Sequence, residues 1–196
     1  RDESAARTEA TALEFITRDF TAPPVVLWAF GSGILNSLRF ISLPRLGKSL
    51  SDVLEQDCIT DGMVWCFSAD ILHSLSHLQQ IGVLHLDVKP DNIMLSRAGP
   101  YLEHSTLVLC DFGISRIAKA ARGQQRMTVS GAIFFMAPEM TSGSYDEKVD
   151  IWSLGITAIR NFAASTSAEE SVCDGERSFF IESLLMLSGV ATYSPF

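Results

Sequence analysis

Apolar residues recur every three or four positions along three stretches of the chain, which predicts amphipathic helices. In "SAARTEATALEFITRDF", Leu13, Ile16 and Phe20 share one helical face, and the prolines at 23 and 24 end the helix. In "GMVWCFSADILHSLSHLQQIG" the rhythm is longest, and Gly82 is a typical helix stop. "VDIWSLGITAIRNF" predicts a third, largely buried helix. Shorter helices are expected at "SLSDVLEQD", capped by Ser49 or Ser51, and at residues 178–187.

Short apolar runs between the helices predict strands. Two candidates are "VVLWAF" and "LRFISL", with the turn-rich connector "GSGILNS" between them. "VLHLDV" and "NIMLS" enclose a polar loop, and "TLVLCDFG" is a strand that breaks at Gly113. These patterns predict a chain of helices and short strands.

Composition narrows the class of protein. The 196 residues are 47% hydrophobic, which suits one domain with a real core. A net charge of −8 argues against nucleic acid as a partner, because binding to phosphate backbones needs a basic surface. The longest apolar stretch, "PPVVLWAFGSGIL", is too short and too interrupted to cross a membrane. Four scattered cysteines favour reduced thiols, so we expect a cytoplasmic or nuclear location.

Charged and amide side chains are concentrated beside segments that should be buried. Asp87, Lys89 and Asn92 lie in the loop "LDVKPDN", and Asp111 ends a hydrophobic strand. Carboxylates at such positions usually face a cation or a substrate. The oxygens of the two carboxylates and of the Asn92 amide suit Mg²⁺, which commonly brings phosphates with it, and Lys89 can neutralise a phosphoryl group. These residues are sufficient for the positioning and charge stabilisation that phosphoryl transfer requires.

Four ordered motifs resemble the eukaryotic protein kinases. "HLDVKPDN" matches the catalytic-loop pattern H-R-D-x-K-x-x-N except at Leu86, and it is followed by "DFG" at 111–113 and "APE" at 137–139. "VDIWSLG" looks like the start of the central helix of the large lobe, and "LPRLGKSLSDVLE" resembles the hinge and the helix after it. The resemblance covers residues 9–162 well and the tail poorly. It implies an α+β, kinase-like fold that is mainly helical, with residues 1–43 as a partial small lobe (a regulatory helix and two strands). Residues 44–196 would then be the large lobe with an incomplete C-terminal end.

The resemblance also assigns roles to individual residues. Asp87 would be the catalytic base, and Lys89, two residues later, is the choice typical of serine/threonine kinases. Asn92 and Asp111 would hold the magnesium ions that accompany ATP, and Leu43 and Leu46 of the hinge-like segment would contact the nucleotide. The remaining assignments are His85 and Phe112 as apolar-spine positions, Asp150 as the tie between the catalytic loop and the central helix, and Glu14 as the acid of the regulatory helix, preferred over Glu9.

The chain departs from the family pattern in three ways. It contains no glycine-rich loop and no small-lobe strand lysine, so we expect a fragment of a larger domain. Leu86 replaces an arginine that pairs with a phosphorylated activation loop, which makes that form of control doubtful; "HLD" is similar to the Wee/Myt-type and Mos-type kinases. Ala132 replaces a threonine whose hydroxyl contacts the catalytic aspartate and lysine. We expect Leu86→Arg to leave basal activity unchanged.

The sequence therefore predicts ATP-dependent phosphorylation of serine or threonine in a protein substrate, with a regulatory protein as a further partner. Two alternatives stay open. One is a pseudokinase or kinase-like interaction module that transfers nothing, with Asp87, Asn92 and Asp111 as remnants of lost catalysis. The other is a gene fragment that cannot fold alone, because the face that should meet the small lobe would leave apolar surface exposed.

Overall fold

The computed structural model describes residues 3–18, 25–36, 38–56, 60–97, 105–117, 133–141 and 145–164. Several sequence-based predictions lie outside these ranges and concern Phe20, the prolines at 23 and 24, Ala132 and the helix at 178–187. The described architecture is α+β, with four α-helices and three small two-stranded sheets among these residues.

Helix α1 (Glu3–Thr17) has the amphipathic character that its spacing predicts. Leu13 and Ile16 are fully buried on its inner face. Helix α2 (Leu50–Gln56) begins after Ser49, whose Oγ accepts a hydrogen bond from the Asp52 backbone N–H at 3.1 Å. Ser49 is therefore the cap, and the hydrogen bonds that Asp52 accepts from it lower the pKa of the Asp52 carboxyl.

Helix α3 (Asp61–Ile81) is the longest described element and lies at the centre of the core. Thr60 caps its N-terminus, and Gly82 ends it with φ 76°, a left-handed conformation that glycine adopts without strain. Its predicted inner face is buried throughout: Val64, Phe67, Ile71, Leu75 and Leu78. Helix α4 (Lys148–Ala164) packs against α3, and this contact places the N-terminal turn of α4 beside the loop that follows α3.

Strands β1 (Gly31–Leu35) and β2 (Leu38–Ser42) form an antiparallel hairpin in which Leu35 pairs with Leu38. The prediction for this region was wrong in part, because "GSGIL" is the first strand rather than a connector. The chain turns at Asn36, which has a φ of 48°. Residues 25–30 make only a single parallel bridge, between Val26 and Leu109. Val25, Val26, Leu27 and Ala29 are buried in this segment, whereas Trp28 and Phe30 are exposed. The buried residues pack on the core around α3 and the strand at 107–109, which explains their apolar character without a strand.

Two further sheets hold the polar loop. Strand β3 (Val83–Leu84) pairs with β6 (Arg116–Ile117), and β4 (Ile93–Leu95) pairs with β5 (Leu107–Leu109), both antiparallel. Strand β6 was not predicted, because two residues carry too little periodicity to be recognised. The sheets bring residues 85–92 and 110–115 side by side. Backbone bonding confirms this, since Cys110 N–H donates to the Asn92 carbonyl at 2.8 Å.

The core is one large apolar cluster built around α3, joined by α1, α2, β3–β5 and part of α4. A second, smaller cluster lies beside it and consists of Ala137, Met140 and Val149, with Leu86, Met136, Tyr145 and Trp152 packed against them. Within the described ranges, no helix combines the length and the apolar composition that a bilayer crossing requires.

Candidate active site

Asp87 lies in the loop between β3 and the short 3-10 turn Pro90–Asn92, with its carboxylate held by two donors. Lys89 Nζ and Asn92 Nδ2 each lie 2.7 Å from Asp87 Oδ2. Asn92 Nδ2 also lies 2.8 Å from the Asp87 carbonyl oxygen. The three residues that the sequence predicts as catalytic therefore form one hydrogen-bonded group. The side chain of Asp87 is fixed in orientation while it stays partly exposed to solvent.

The backbone just before Asp87 is anchored to α4 by one buried carboxylate. Asp150 accepts hydrogen bonds from His85 N–H at 2.7 Å and from Leu86 N–H at 2.8 Å. Asp150 is 3% exposed, and burial raises the pKa of its carboxyl. These short bonds join residues about sixty-five positions apart, so the loop depends on the packing of α4 against α3.

His85 is buried, and its ring bridges the two loops of the site. Its Nε2 lies 2.9 Å from the Cys110 carbonyl, and its Nδ1 lies 3.2 Å from the Asp87 backbone N–H. A neutral ring protonated on Nε2 satisfies both contacts, because Nδ1 is then an acceptor. Burial lowers the pKa of His85, which agrees with the neutral form. The ring also makes an edge contact with Phe112, with centroids 4.8 Å apart.

Asp111 follows β5 in a turn that directs it toward the loop of Asp87. Its φ of 63° is in the left-handed region, and its Oδ1 accepts the Gly113 N–H at 3.1 Å. Phe112 is completely buried behind it, and Ser115 donates to the Phe112 carbonyl at 2.8 Å. This local bonding holds the turn in a conformation that aspartate adopts more readily than most residues do.

A cleft of about 330 Å³ lies between Asp111, Asn92 and the segment after β2. Its apolar wall includes Leu43, Leu46 and Met94, and its polar end carries the two predicted metal ligands. All four residues predicted to contact a nucleotide or its metal thus line one cleft, and Leu27, Pro44 and Cys110 line it as well. A pocket of this size with apolar walls and a few convergent polar groups suits a small ligand.

The acid of α1 that faces this cleft is Glu9, and the preference for Glu14 was wrong. Glu9 is 7% exposed and lines the cleft, whereas Glu14 is exposed and accepts a hydrogen bond from Ser32 on the hairpin. Five positions along a helix correspond to about 140° of rotation, so the two acids cannot share a face. The four-residue spacing between Glu9 and the buried Leu13 indicates which acid faces inward.

The donor set of the cleft fits a magnesium ion shared with a phosphate group. Because Asn92 Nδ2 donates to Asp87, the oxygen of the same carboxamide is the atom that can ligate a metal together with the Asp111 carboxylate. Over the residues the structure describes, no group of three or more His, Cys, Asp or Glu side chains forms a complete metal site. Mg²⁺ usually takes only one or two protein carboxylates and completes its shell with water and substrate phosphates, so this pair is sufficient.

Cys110 adjoins the predicted ligand Asp111 and is held as a thiol. It is 6% exposed and contacts the Val108 carbonyl oxygen at 3.4 Å. Burial, followed by the negative charges of Asp111 and Glu9, raises its pKa to about 12. The same charges make the cleft electronegative, which favours a cation there.

Comparison with known proteins identifies the family that this geometry belongs to. The sequence profile described as the protein kinase domain matches residues 37–183, three quarters of the chain. The chain belongs to the protein kinase domain family. The predicted kinase-like α+β fold is thereby confirmed, and the match extends further into the tail than the motifs alone suggested.

Several relatives of this kinase domain are named as serine/threonine-protein kinases. It is 42% identical over 115 residues to serine/threonine-protein kinase SMU1 of Mycosarcoma maydis, which is 58% of this chain and 14% of the relative. It is 41% identical over 114 residues to serine/threonine-protein kinase MST20 of Pyricularia oryzae and 40% identical over 114 residues to serine/threonine-protein kinase ste20 of Aspergillus fumigatus, again 58% of this chain. The matched stretch spans only 12–14% of the length of these three proteins.

Proposed function

We propose that this kinase domain transfers the γ-phosphoryl group of ATP to serine or threonine hydroxyls of a protein substrate. The observation that carries the proposal is the hydrogen-bonded group of Asp87, Lys89 and Asn92, which shares Asn92 with the cleft that contains Asp111. The serine/threonine specificity of the relatives and the lysine at position 89 support the choice of acceptor.

Each residue has a role that follows from its position. Asp87 Oδ2 is fixed by two donors, so the carboxylate can accept a hydrogen bond from a substrate hydroxyl and orient it for in-line attack. Lys89 adds a positive charge at the same oxygen, where it can stabilise the phosphoryl group in transit. Asn92 and Asp111 would hold the magnesium, which when bound neutralises the phosphate charge. Leu43, Leu46 and Met94 provide an apolar surface for a nucleotide base.

The test is a thermal melt of the chain with and without Mg-ATP, with two aspartate variants that differ only in position. A ligand at 100 times its dissociation constant adds about 2.7 kcal/mol to the folded state, which a melt resolves. We expect the magnesium-dependent shift to disappear in Asp111→Asn and to persist in Asp91→Asn, because Asp91 is an exposed residue at the edge of the same cleft. Asp87→Asn should keep the shift and reduce phosphoryl transfer to a protein substrate by several powers of ten.

An interaction module without phosphoryl transfer is the second candidate, and the hairpin supports it. Leu35, Leu38 and Phe40 lie on one face of β1–β2 and are 66%, 73% and 48% exposed. Three neighbouring apolar side chains at such exposure are typical of a surface that a partner covers. A cooperative melt with no Mg-ATP shift in the unaltered chain would favour this function over catalysis.

Two finer assignments are hypotheses. The similarity of His85-Leu86-Asp87 to the Wee/Myt-type and Mos-type kinases rests on one residue, whereas two of the relatives described above are named MST20 and ste20. A cytoplasmic or nuclear location is supported by the acidic composition and by the free thiols of Cys66 and Cys110, the two cysteines that the structure describes. Imaging of the tagged protein in cells tests the location.

A further inference from the structure

Leu86 is the single position at which the catalytic loop departs from its family pattern, and its side chain contacts another part of the protein. It is half-buried and packs against the small apolar cluster of Ala137, Met140 and Val149. This cluster joins the segment 136–140 to the first turn of α4. Leu86 therefore links three pieces of chain that are distant in sequence.

The backbone of Leu86 is also held in place, in an unusual conformation. Its φ of 70° lies in the left-handed region, which is disfavoured for any residue with a Cβ atom. The surrounding structure maintains this conformation, because Leu86 N–H and His85 N–H both donate to the Asp150 carboxylate. Asp87 follows directly, and its own N–H donates to the ring of His85. Displacement of Leu86 would therefore move Asp87.

We propose that Leu86 is a positioning residue for Asp87. Its apolar contact fastens the catalytic loop to the segment 136–140 and to α4, and this contact needs no phosphate group. The inference rests on the proposed function, since it assigns Leu86 a part in orienting the Asp87 carboxylate. In kinases with arginine at this position, the resemblance implies a link that runs through a phosphate; in this chain the link is made by burial of apolar surface.

The residues that line the cavity next to Leu86 are poorly suited to contact an arginine side chain at position 86. This cavity, about 540 Å³, is lined by Leu86, Ile114, Met140 and Tyr145 on its apolar side, and by Arg116 among its polar residues. No acidic side chain occurs among the described residues that line it. A guanidinium in place of Leu86 would thus meet an apolar wall that offers it no acceptor. We now expect Leu86→Arg to weaken the link, in contrast to the expectation from sequence alone.

A matched pair of variants separates apolar packing from size. Methionine and glutamine have similar length and flexibility, but only methionine can be buried against the cluster without an unsatisfied amide. In the full chain, Leu86→Gln should accelerate amide hydrogen exchange at residues 136–141 and 87–88 by about tenfold, the loss expected for one apolar contact. Leu86→Met should stay within about twofold of the unaltered chain.

A second readout distinguishes positioning from general destabilisation. Leu86 does not line the cleft of Asn92 and Asp111, so Leu86→Gln should keep the Mg-ATP melt shift while kcat for phosphoryl transfer falls at least about tenfold. In Leu86→Gln, KM for ATP should stay within about twofold of that of the unaltered chain, and in Leu86→Met kcat should stay close to that of the unaltered chain. A merely structural defect in Leu86→Gln would lower the melt shift and the rate together.

If Leu86→Gln fails to fold, shortening the Met140 side chain, on the other side of the contact, provides a second test. Met140→Ala should produce the same faster exchange at residues 87–88, and Leu86→Ala combined with Met140→Ala should add little to either single change. Unchanged exchange at 87–88 in Met140→Ala would overturn the proposal, as would equal effects of methionine and glutamine. If the unaltered chain shows neither a Mg-ATP shift nor transfer, the proposed function fails, while the exchange data still decide whether Leu86 couples the loop to residues 136–141.

Discussion

Asp150→Asn tests the anchor of the catalytic loop most directly. The carboxylate accepts N–H groups from His85 and Leu86 at 2.7 and 2.8 Å, whereas an amide offers one oxygen and turns an NH₂ group toward the other N–H. One hydrogen bond to a charged group, worth about 1.5–3 kcal/mol, is lost, and a buried donor is left without an acceptor. The change also removes a buried charge, and the raised pKa of Asp150 shows that burial disfavours this charge.

The geometry decides between these opposing effects. Both bonds are short and well within the range of charge-assisted bonds, so we expect their loss to prevail and Asp150→Asn to lower the free energy of unfolding by about 2 kcal/mol. For a chain of this length that corresponds to a decrease of about 4–8 °C in Tm. Urea unfolding monitored by tryptophan fluorescence gives the free energy, and hydrogen exchange should show the amides of His85 and Leu86 opening first.

Asp146→Asn is the matched control. Asp146 is exposed and accepts the Lys148 N–H at the start of α4, a role that asparagine fills equally well. Its effect should stay within about 0.5 kcal/mol. An Asp150→Asn protein as stable as the unaltered chain, or more stable, would refute the reasoning, because it would mean that the cost of burying the carboxylate outweighs the bonds it makes.

Three further predictions concern individual groups. Burial lowers the pKa of His85, so as the pH falls the unfolded state takes up a proton near pH 6.5 before the folded state does. The contribution of His85 to the free energy of unfolding should therefore be constant above that pH and fall by up to about 1.4 kcal/mol per pH unit below it. Urea unfolding from pH 8 to pH 5 checks this, and an identical slope in His85→Gln would assign the loss to other groups. Cys110, with a pKa of about 12, should resist iodoacetamide at pH 8 in the native protein while the exposed Cys66 reacts; mass spectrometry that finds both alkylated equally would contradict the burial of the thiol. Gly82→Ala should cost about 1 kcal/mol, because the φ of 76° strains any residue with a Cβ atom, although this atom would meet nothing within 4 Å beyond the adjoining residues of the chain. A melt with unchanged Tm would argue against a left-handed helix end.

The elements with strong periodicity were predictable from the sequence, and those fixed by single contacts were not. The apolar face of α3 from Val64 to Leu78 repeats over about four turns, so burial and helix type follow from spacing alone. Residues 25–30 have the composition of a strand, but their pairing among the described residues is limited to the bridge from Val26 to Leu109 and the bond from Phe30 N–H to the Ser42 carbonyl. The sequence shows that such a segment is apolar, and tertiary packing decides which of its residues are buried and whether it joins a sheet.

The candidate site divides in the same way. The loop motifs identify Asp87, Lys89, Asn92 and Asp111, and the structure brings them to one place. The rotation of α1 relative to the cleft, which distinguishes Glu9 from Glu14, depends on how Leu13 and Ile16 settle into the core. Residues with no motif of their own, such as Met94, were missed because only the three-dimensional pairing of β4 with β5 directs them to the cleft.

The anchoring of the catalytic loop by Asp150 has a consequence for protein synthesis. The chain is made from its N-terminus, and residues 85–92 leave the ribosome well before α4 does. Until Lys148–Ala164 has emerged and packed against α3, His85 and Leu86 have no carboxylate to bind, and the left-handed conformation at Leu86 has nothing to maintain it. The order of translation thus delays assembly of the candidate site. A nascent chain halted before residue 148 would carry all residues of the loop at 85–92 and still lack an organised site.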